Sequence, residues 1–505
     1  MSLRLRRMAV CWLCLETGLL FRVGMLHVAK RRSQRRWGGH VSKRREHRRW
    51  LCVVAALTWA LVVAGGSAEA EQKSSLPNIL FILTDDMASS DLRHMPNTQR
   101  LLADQGTTFV NHTITLPTCC PSRTTFLRGQ YAHNHGIGMG LPSREKSFKQ
   151  EGYGRSTVAT WLDNEGYSTG LVGKYLNGFR SGSYVPPGWD RFYANRDQDV
   201  WARSFNRDGS PVSLKRGSID AHLAAMGKKF VEQHPDTPFF LWQNFNAPHQ
   251  YKNGPPPAPK PYLKKFNSAM PPKHGFNEVD VSDKPKWIRS LPRLTSAEVA
   301  TMGLERQHRL ASLQVVDREV AELVATLARE GELSNTYIFF TSDNGYHMGE
   351  HRLQAGKMTP YTTDVNVPLI VRGPGVEEGV RRGEFVQNTD FAPTVADLAD
   401  APIPEFVDGT SMEPLLRGEE VNWRQQGFFE GRGGKAFAGI TTSDGSYYIE
   451  YASGEKELYD TRKDPYQLTN SYRDANRSHK AHLAARVEAI KGCSGPSCQL
   501  AEGLE

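Results

Sequence analysis

Apolar runs recur along this chain, and several end abruptly in polar or charged residues. Pro77-Asn78-Ile79-Leu80-Phe81-Ile82-Leu83-Thr84 leads into Asp85-Asp86. It is short and rich in Ile, Leu and Phe, which predicts a buried strand of a parallel sheet. Ser168 to Val172 leads into Gly173-Lys174-Tyr175 in the same way. Phe239 to Trp242 precedes Asn246-Ala247-Pro248-His249, and Thr336 to Phe340 precedes Thr341-Ser342-Asp343-Asn344-Gly345. Val367 to Val371 is a further strand-like run, and Asp390 to Val395 reads as a helix start. Between Ala300 and Glu330 the period changes. Leu310, Leu313, Val316, Val320, Leu323 and Leu327 recur at helical spacing, a core-facing stripe. Strands alternating with helices predict an α/β main domain over residues 71–418. From Glu419 the text becomes short apolar segments around Phe428, Phe437, Tyr447 and Leu458. These predict antiparallel strands in a smaller C-terminal α+β domain, residues 419–505. Residues 252–295, rich in Pro, Lys and Asn, form a long connection after His249, expected to wall a cleft. There is no internal repeat.

Charge changes the picture once it is divided. The 505 residues carry a net charge of +9. Residues 1–70 hold 14 Lys/Arg and 3 Asp/Glu, leaving 49 basic against 51 acidic residues, a net of −2, for the rest. The basic balance belongs to a leader, so no nucleic-acid partner is expected. In that leader, Lys43 to Arg49 is basic, Trp50 to Ala64 is apolar, and Ala68-Glu69-Ala70 resembles a signal-peptidase site. Cleavage near Ala70 and a secreted or periplasmic location are expected, with no stable membrane partner. An uncleaved anchor is the alternative, though the apolar stretch is short of the about 20 residues that span a bilayer. The signal's distance from residue 1 suggests a translation start downstream, near Val41. Cys11, Cys14 and Cys52 lie in the leader, and Cys493 and Cys498 bracket a Gly-Pro turn, which predicts a disulfide in an exported protein.

The candidate chemistry sits at the strand ends. In open α/β sheets ligands bind beyond the carboxyl ends of strands. Asp85, Asp86, Asp343 and Asn344 together offer hard oxygen donors suited to Ca²⁺, and less well to Mg²⁺. Taken singly, each half has a plain reading, a pair of helix-capping acids or a turn. The remaining signal is Cys119-Cys120-Pro121-Ser122-Arg123, with Leu127 and Gly129 following. By itself it could mark a buried cysteine pair beside a turn.

In full the segment reads Cys-x-Pro-Ser-Arg-x-x-x-Leu-x-Gly, and it resembles the signature of the type I, formylglycine-dependent sulfatases. The acid pairs before and after it match that family's order, and the resemblance covers about Pro77 to about Asn470. It implies an alkaline-phosphatase-like large mixed sheet sandwiched by helices. It implies that Cys119 is oxidised to formylglycine by the formylglycine-generating enzyme, whose hydrated aldehyde attacks sulfur. Asp85, Asp86, Asp343, Asn344 and residue 119 would hold the cation. Arg123, Lys174 and Lys357 would neutralise the sulfate, and His249 would contact the ester oxygen. Many arylsulfatases read Gly-Lys-x-His at the Lys174 segment, whereas here Tyr175 is followed by Leu176. His135, or His133, is the expected substitute base. The Cys119-Cys120 doublet, Gly-Lys-Tyr-Leu-Asn and His133-Asn134-His135 resemble the glucosamine-6-sulfatase and extracellular endosulfatase branch. The implied substrate is a sulfated carbohydrate, such as a 6-O-sulfated glucosamine unit. A broad arylsulfatase, a phosphonate or phosphodiester hydrolase, and a non-catalytic carbohydrate-binding scaffold are the alternatives.

Overall fold

A computed structural model of the chain describes residues 76–196, 201–234, 237–252, 254–433 and 436–503. The signal, its cleavage site and the leader cysteines lie outside the described residues. Ten strands form the large sheet: β1 (Asn78–Thr84), β2 (Thr107–Thr113), β3 (Ser168–Gly173), β4 (Arg191–Asn195), β5 (Ser204–Arg207), β6 (Ser210–Ser213), β7 (Phe239–Asn244), β8 (Thr336–Ser342), β9 (Leu369–Arg372) and β10 (Val380–Gln387). Their spatial order is β10-β2-β9-β8-β1-β7-β3-β4-β5-β6. The centre is parallel: β1 pairs with both β7 and β8, and β3 pairs with β7. β9 runs antiparallel to β8 and β2, so the sheet is mixed, as expected.

Register places the chemistry. Thr84 pairs with Ser342, and Leu83 with Asn244. Asp85-Asp86 and Asp343-Asn344 therefore leave neighbouring strands at the same height. All seven residues of β1 are buried, which explains its uninterrupted apolar run. One layer of core packs Phe81, Trp242, Phe339 and Phe391 on one face of the sheet, and a second packs Leu80, Leu241, Ile338 and Leu313 on the other.

Two helices matter for the site. α1 (Cys119–Arg128) is buried along its whole length and stops at Gly129, whose φ of 68° closes it in the left-handed region. α2 (Ser296–Arg329) begins with a capping box between Thr295 and Glu298 and buries the six-residue apolar stripe. Four antiparallel strands, β11 (Gln426–Gly431), β12 (Phe437–Thr442), β13 (Ser446–Tyr451) and β14 (Lys456–Asp460), form the second sheet. Cys493 and Cys498 are disulfide-bonded.

A buried charge group ties the C-terminal helix, α3 (Pro496–Glu502), to the large sheet. Arg424 donates through Nη2 to Asp390 at 2.8 Å and pairs through Nε with Glu502 at 2.7 Å. Tyr131, just beyond α1, hydrogen-bonds the same Glu502. Removing the one cation would leave two buried carboxylates uncompensated. Arg424→Met should therefore destabilise the chain by about 3–5 kcal/mol in urea unfolding. A loss below about 1 kcal/mol would show that the group is not an anchor.

Candidate active site

Asp85, Asp86, Lys174, Asn244, Asp343 and Asn344 all follow or end the central parallel strands, and the N-terminal turn of α1 delivers Cys119 among them. Cys119 Sγ lies 3.5 Å from Asp85 Oδ1, 4.0 Å from Asp86 Oδ1 and 2.7 Å from Lys357 Nζ. Lys174 Nζ donates to Asp85 at 2.5 Å, and Lys357 Nζ to Asp86 at 2.5 Å. Arg123, fully buried, donates from Nε to Asp343 at 2.8 Å and from Nη1 to Asn244 and to the Lys174 carbonyl, each at 2.8 Å. Its Nη2 lies 3.4 Å from Asp85. The guanidinium thus brackets the ends of β1, β3, β7 and β8.

Three buried carboxylates face three cations, with Lys357 and His249 partly exposed at the rim. Burial works to raise the pKa of Asp85, but Lys174, His249, Arg123 and Lys357 outweigh it and hold the carboxyl well below the usual range. Asp86 is lowered against its burial by Lys357 and His249. Asp343 is raised, by burial and by the charge of Asp85. The Cys119 thiol is pushed up to about 12, by burial and then by Asp85, despite the two lysines. An unmodified Cys119 is therefore a thiol at neutral pH and a poor nucleophile.

His249 Nδ1 donates to the Gln250 carbonyl at 2.7 Å, which leaves Nε2 facing Asp86 Oδ2 at 3.7 Å. Its backbone carbonyl accepts from Trp201 Nε1 at 2.8 Å. The oxygen donors of Asp85, Asp86, Asp343 and Asn344 suit a hard cation. Asp85, Asp86, Cys119 and His249 bring ligand atoms within 4.8 Å of one another. Asn344 donates to Asp86 Oδ1 at 2.7 Å, and its buried Oδ1 has no hydrogen-bond partner. An orphaned amide oxygen beside three carboxylates fits Ca²⁺ or Mg²⁺.

Nine of the ten site residues read from the sequence converge here. His135 does not. Its Nε2 lies 3.1 Å from Thr125 Oγ1, and its Nδ1 accepts from the Ile137 amide at 3.1 Å. Burial, with the charge of Arg128, lowers its pKa to about 3. The chain turns back after α1 and seats His135 against Thr125, six residues and about 9 Å along the helix from Cys119. His133 pairs instead with Glu430 of β11 at 3.0 Å. Neither histidine has a hydrogen bond to Cys119 or to the lysines among the described residues.

The geometry adds residues that sequence reading missed. Asn244 accepts from Arg123 and, at 2.9 Å, from Trp242 Nε1. Arg309, on the α2 face read only as core, donates to the backbone carbonyls of Asp86 and Pro248. Asp86 itself has a φ of 69°, a strained turn that Arg309 helps to fix. His347 and Asp364 clamp the loop that carries Lys357. Asp364 accepts from His347 Nδ1 at 2.9 Å and from the Thr359 amide and hydroxyl at 2.8 and 2.7 Å. His347 also exchanges backbone hydrogen bonds with Gly356, at 2.9 and 3.0 Å.

Comparison with known proteins agrees with this geometry. A family model described as "Sulfatase" matches residues 77–401, and one described as "N-sulphoglucosamine sulphohydrolase, C-terminal" matches residues 349–491. The chain belongs to the sulfatase family. It is 34% identical over 377 residues to a Drosophila melanogaster protein named extracellular sulfatase SULF-1 homolog, covering 71% of this chain and 33% of that one. The chain thus spans about a third of that relative's length. It is 28% identical to the Homo sapiens N-acetylglucosamine-6-sulfatase over 479 residues, 84% of this chain and 86% of that one. Both relatives lie in the branch suggested by the Cys-Cys doublet. A solved structure, of a protein in complex with its substrate D-glucosamine-2-N,6-O-disulfate, shares the fold with a TM-score of 0.67 and 23% identity, covering 82% of this chain and 97% of that one. No helix among the described residues is long and apolar enough to cross a membrane.

The clamp of this sulfatase-family chain has a pH signature. Burial opposes protonation of His347, but Asp364 outweighs it and raises its pKa above the ordinary imidazole value. The charge pair therefore stabilises the fold in full below about pH 6.5 and loses that contribution as pH rises through the elevated folded value. Asp364→Asn should cost at least about 1 kcal/mol in urea unfolding at about pH 6, with a smaller deficit at about pH 9. An equal deficit at both would show that only the Thr359 bonds matter.

Proposed function

We propose that this chain hydrolyses sulfate monoesters on a sugar, a 6-O-sulfated glucosamine unit being the favoured substrate. The observation that carries the reading is the meeting of Cys119 with three carboxylates, three cations and His249 at the ends of four strands. The names of the relatives support the sugar. Residues 71–418 act as the catalytic domain, and residues 419–505 as a smaller C-terminal domain. The protein is exported after cleavage near Ala70.

Asp85, Asp86, Asp343, Asn344 and residue 119 would hold a calcium ion, which supplies positive charge against the oxygens of the sulfuryl group. Formylglycine at position 119, formed by the formylglycine-generating enzyme, supplies a hydrated aldehyde in place of an inert thiol. The remaining work falls to the chain's own residues. Lys174 and Lys357, now paired with Asp85 and Asp86, sit on either carboxylate within reach of an anion at residue 119. They offset the charge that builds on the sulfuryl oxygens. Arg123 spends its donors on strand ends and so fixes the acids rather than the substrate. His249, held by Gln250, presents Nε2 as the proton donor to the departing sugar hydroxyl. His135 has no part in this scheme, because both its nitrogens are engaged elsewhere.

A desulfation screen over defined sulfated sugars, an aryl sulfate and a phosphodiester tests the reading. Release of 6-O-sulfate from glucosamine is expected. Phosphodiester turnover far above every sulfate ester would replace it with the phosphonate or phosphodiester alternative.

Two finer predictions follow from the geometry. In protein made alongside the formylglycine-generating enzyme, peptide mass spectrometry should show loss of the thiol at 119 and retention at Cys120. Fully active protein with unmodified Cys119 would sink the mechanism. His249→Ala should slow alkyl sulfates about 10²–10⁴-fold and aryl sulfates much less, since a phenolate leaves without a proton. Equal damage to both would remove His249 from the leaving-group role.

A further inference from the structure

Two cavities adjoin at Met358 and Arg432. One, of about 510 Å³, is lined by Leu116, Thr118, Met139, Leu141 and Phe437 among others. The second, of about 590 Å³, is lined by Leu291, Glu298, His347, Gln354 and Lys357 among others. Met358 and Arg432 line both. The second reaches the residue-119 centre through Lys357, 2.7 Å from its sulfur, and the first is lined by Thr118, the residue before Cys119. A cavity of roughly 300–1,000 Å³ suits one small ligand. Two lobes that adjoin at Met358 and Arg432, one of them reaching Lys357, have room for more than a single sugar.

The cations of the second lobe are otherwise engaged. Arg352 donates to the carbonyls of Glu278, Leu291 and Val279. Lys357 is held by Asp86, and the carboxylate of Glu298 accepts from Thr295 and Gln354. Arg432 differs. It is exposed, and it has no hydrogen bond or ion pair to another described residue. Its Nη1 lies 3.8 Å from where a Cβ on Gly140 would stand, so the guanidinium rests over bare backbone. Met358 beside it is 52% exposed and has a φ of 73°, which holds an apolar side chain out between the lobes. An open guanidinium forks onto a sulfate or a carboxylate with two parallel hydrogen bonds.

We propose that Arg432 binds a second anionic group, a sulfate or a carboxylate, on the sugar next to the one whose ester faces residue 119. The substrate is then an anionic oligosaccharide lying across Met358, one sugar in each lobe. This assignment rests on the sulfated-sugar reading above and names the residue that selects for the neighbouring unit.

The test uses full-length Cys119→Ala protein, which binds without turnover, titrated calorimetrically with three disaccharides. All carry 6-O-sulfated glucosamine, and the neighbouring sugar is neutral, carboxylated or sulfated. The parent should prefer a charged neighbour over the neutral one, and the larger preference identifies which anion the site takes. Arg432→Gln should shrink that preference about tenfold, the worth of a charge-assisted hydrogen-bond pair at a solvent-facing site. Arg432→Lys should keep part of it. An unchanged ratio in Arg432→Gln, or no preference in the parent, overturns the subsite while leaving the sulfated-sugar reading intact. Binding of none of the three disaccharides alongside binding of an aryl sulfate or a phosphodiester overturns that reading, and the subsite with it.

Discussion

One buried guanidinium carries the architecture of this site. Three buried carboxylates packed together at the ends of central strands would repel one another and shed their charge on protonation. Arg123 works against this at Asp343 and Asp85, alongside Lys174 and Lys357, because its charge is not lost at any accessible pH and its donors point in fixed directions. It joins Asp343, Asp85, Asn244 and the Lys174 backbone, so the ends of four strands are held at one distance from one another. The guanidinium comes from the same buried helix that presents Cys119. Residue 119 and the acid cluster are therefore held to one element.

Lysines complete the balance. Asp85, Asp86 and Asp343 are matched in number by Arg123, Lys174 and Lys357, and the two lysines lie on Asp85 and Asp86. A dication among the acids would compete for those carboxylates and turn the lysine charge toward an incoming sulfate. The arrangement explains why the loop carrying Lys357 is clamped so closely. His347 and Asp364 fix both ends of the segment that delivers Lys357 to Asp86 and residue 119.

Sequence alone made much of this legible, and the reason is local. Asp85-Asp86, Asp343-Asn344 and Lys174 each follow an apolar run, so a parallel strand could be read and its carboxyl end located. The antiparallel C-terminal sheet also followed from the short apolar segments after residue 419, and the large mixed sheet from the family resemblance. What escaped depends on register or on a buried side of a helix. Asn244 ends a strand like any other polar residue until Leu83 is known to lie beside it. Arg309 sits in a stripe whose spacing speaks only of core. His347 and Asp364 lie 17 residues apart and meet only because the loop between them folds back. His135 differs in the opposite way. Nearness to Cys119 along the chain suggested nearness in space, but the chain turns at Gly129 and seats His135 against Thr125, well along the helix from Cys119.

The central claim is that the acid cluster is a cation site balanced by the protein's own positive charges. Calorimetric titration of chelator-treated protein with Ca²⁺ tests it most directly. One ion per chain should bind the parent, and Asp85→Asn should lose that binding while the protein still unfolds cooperatively. No heat of binding in the parent, or an unchanged affinity in the folded Asp85→Asn protein, would contradict the account.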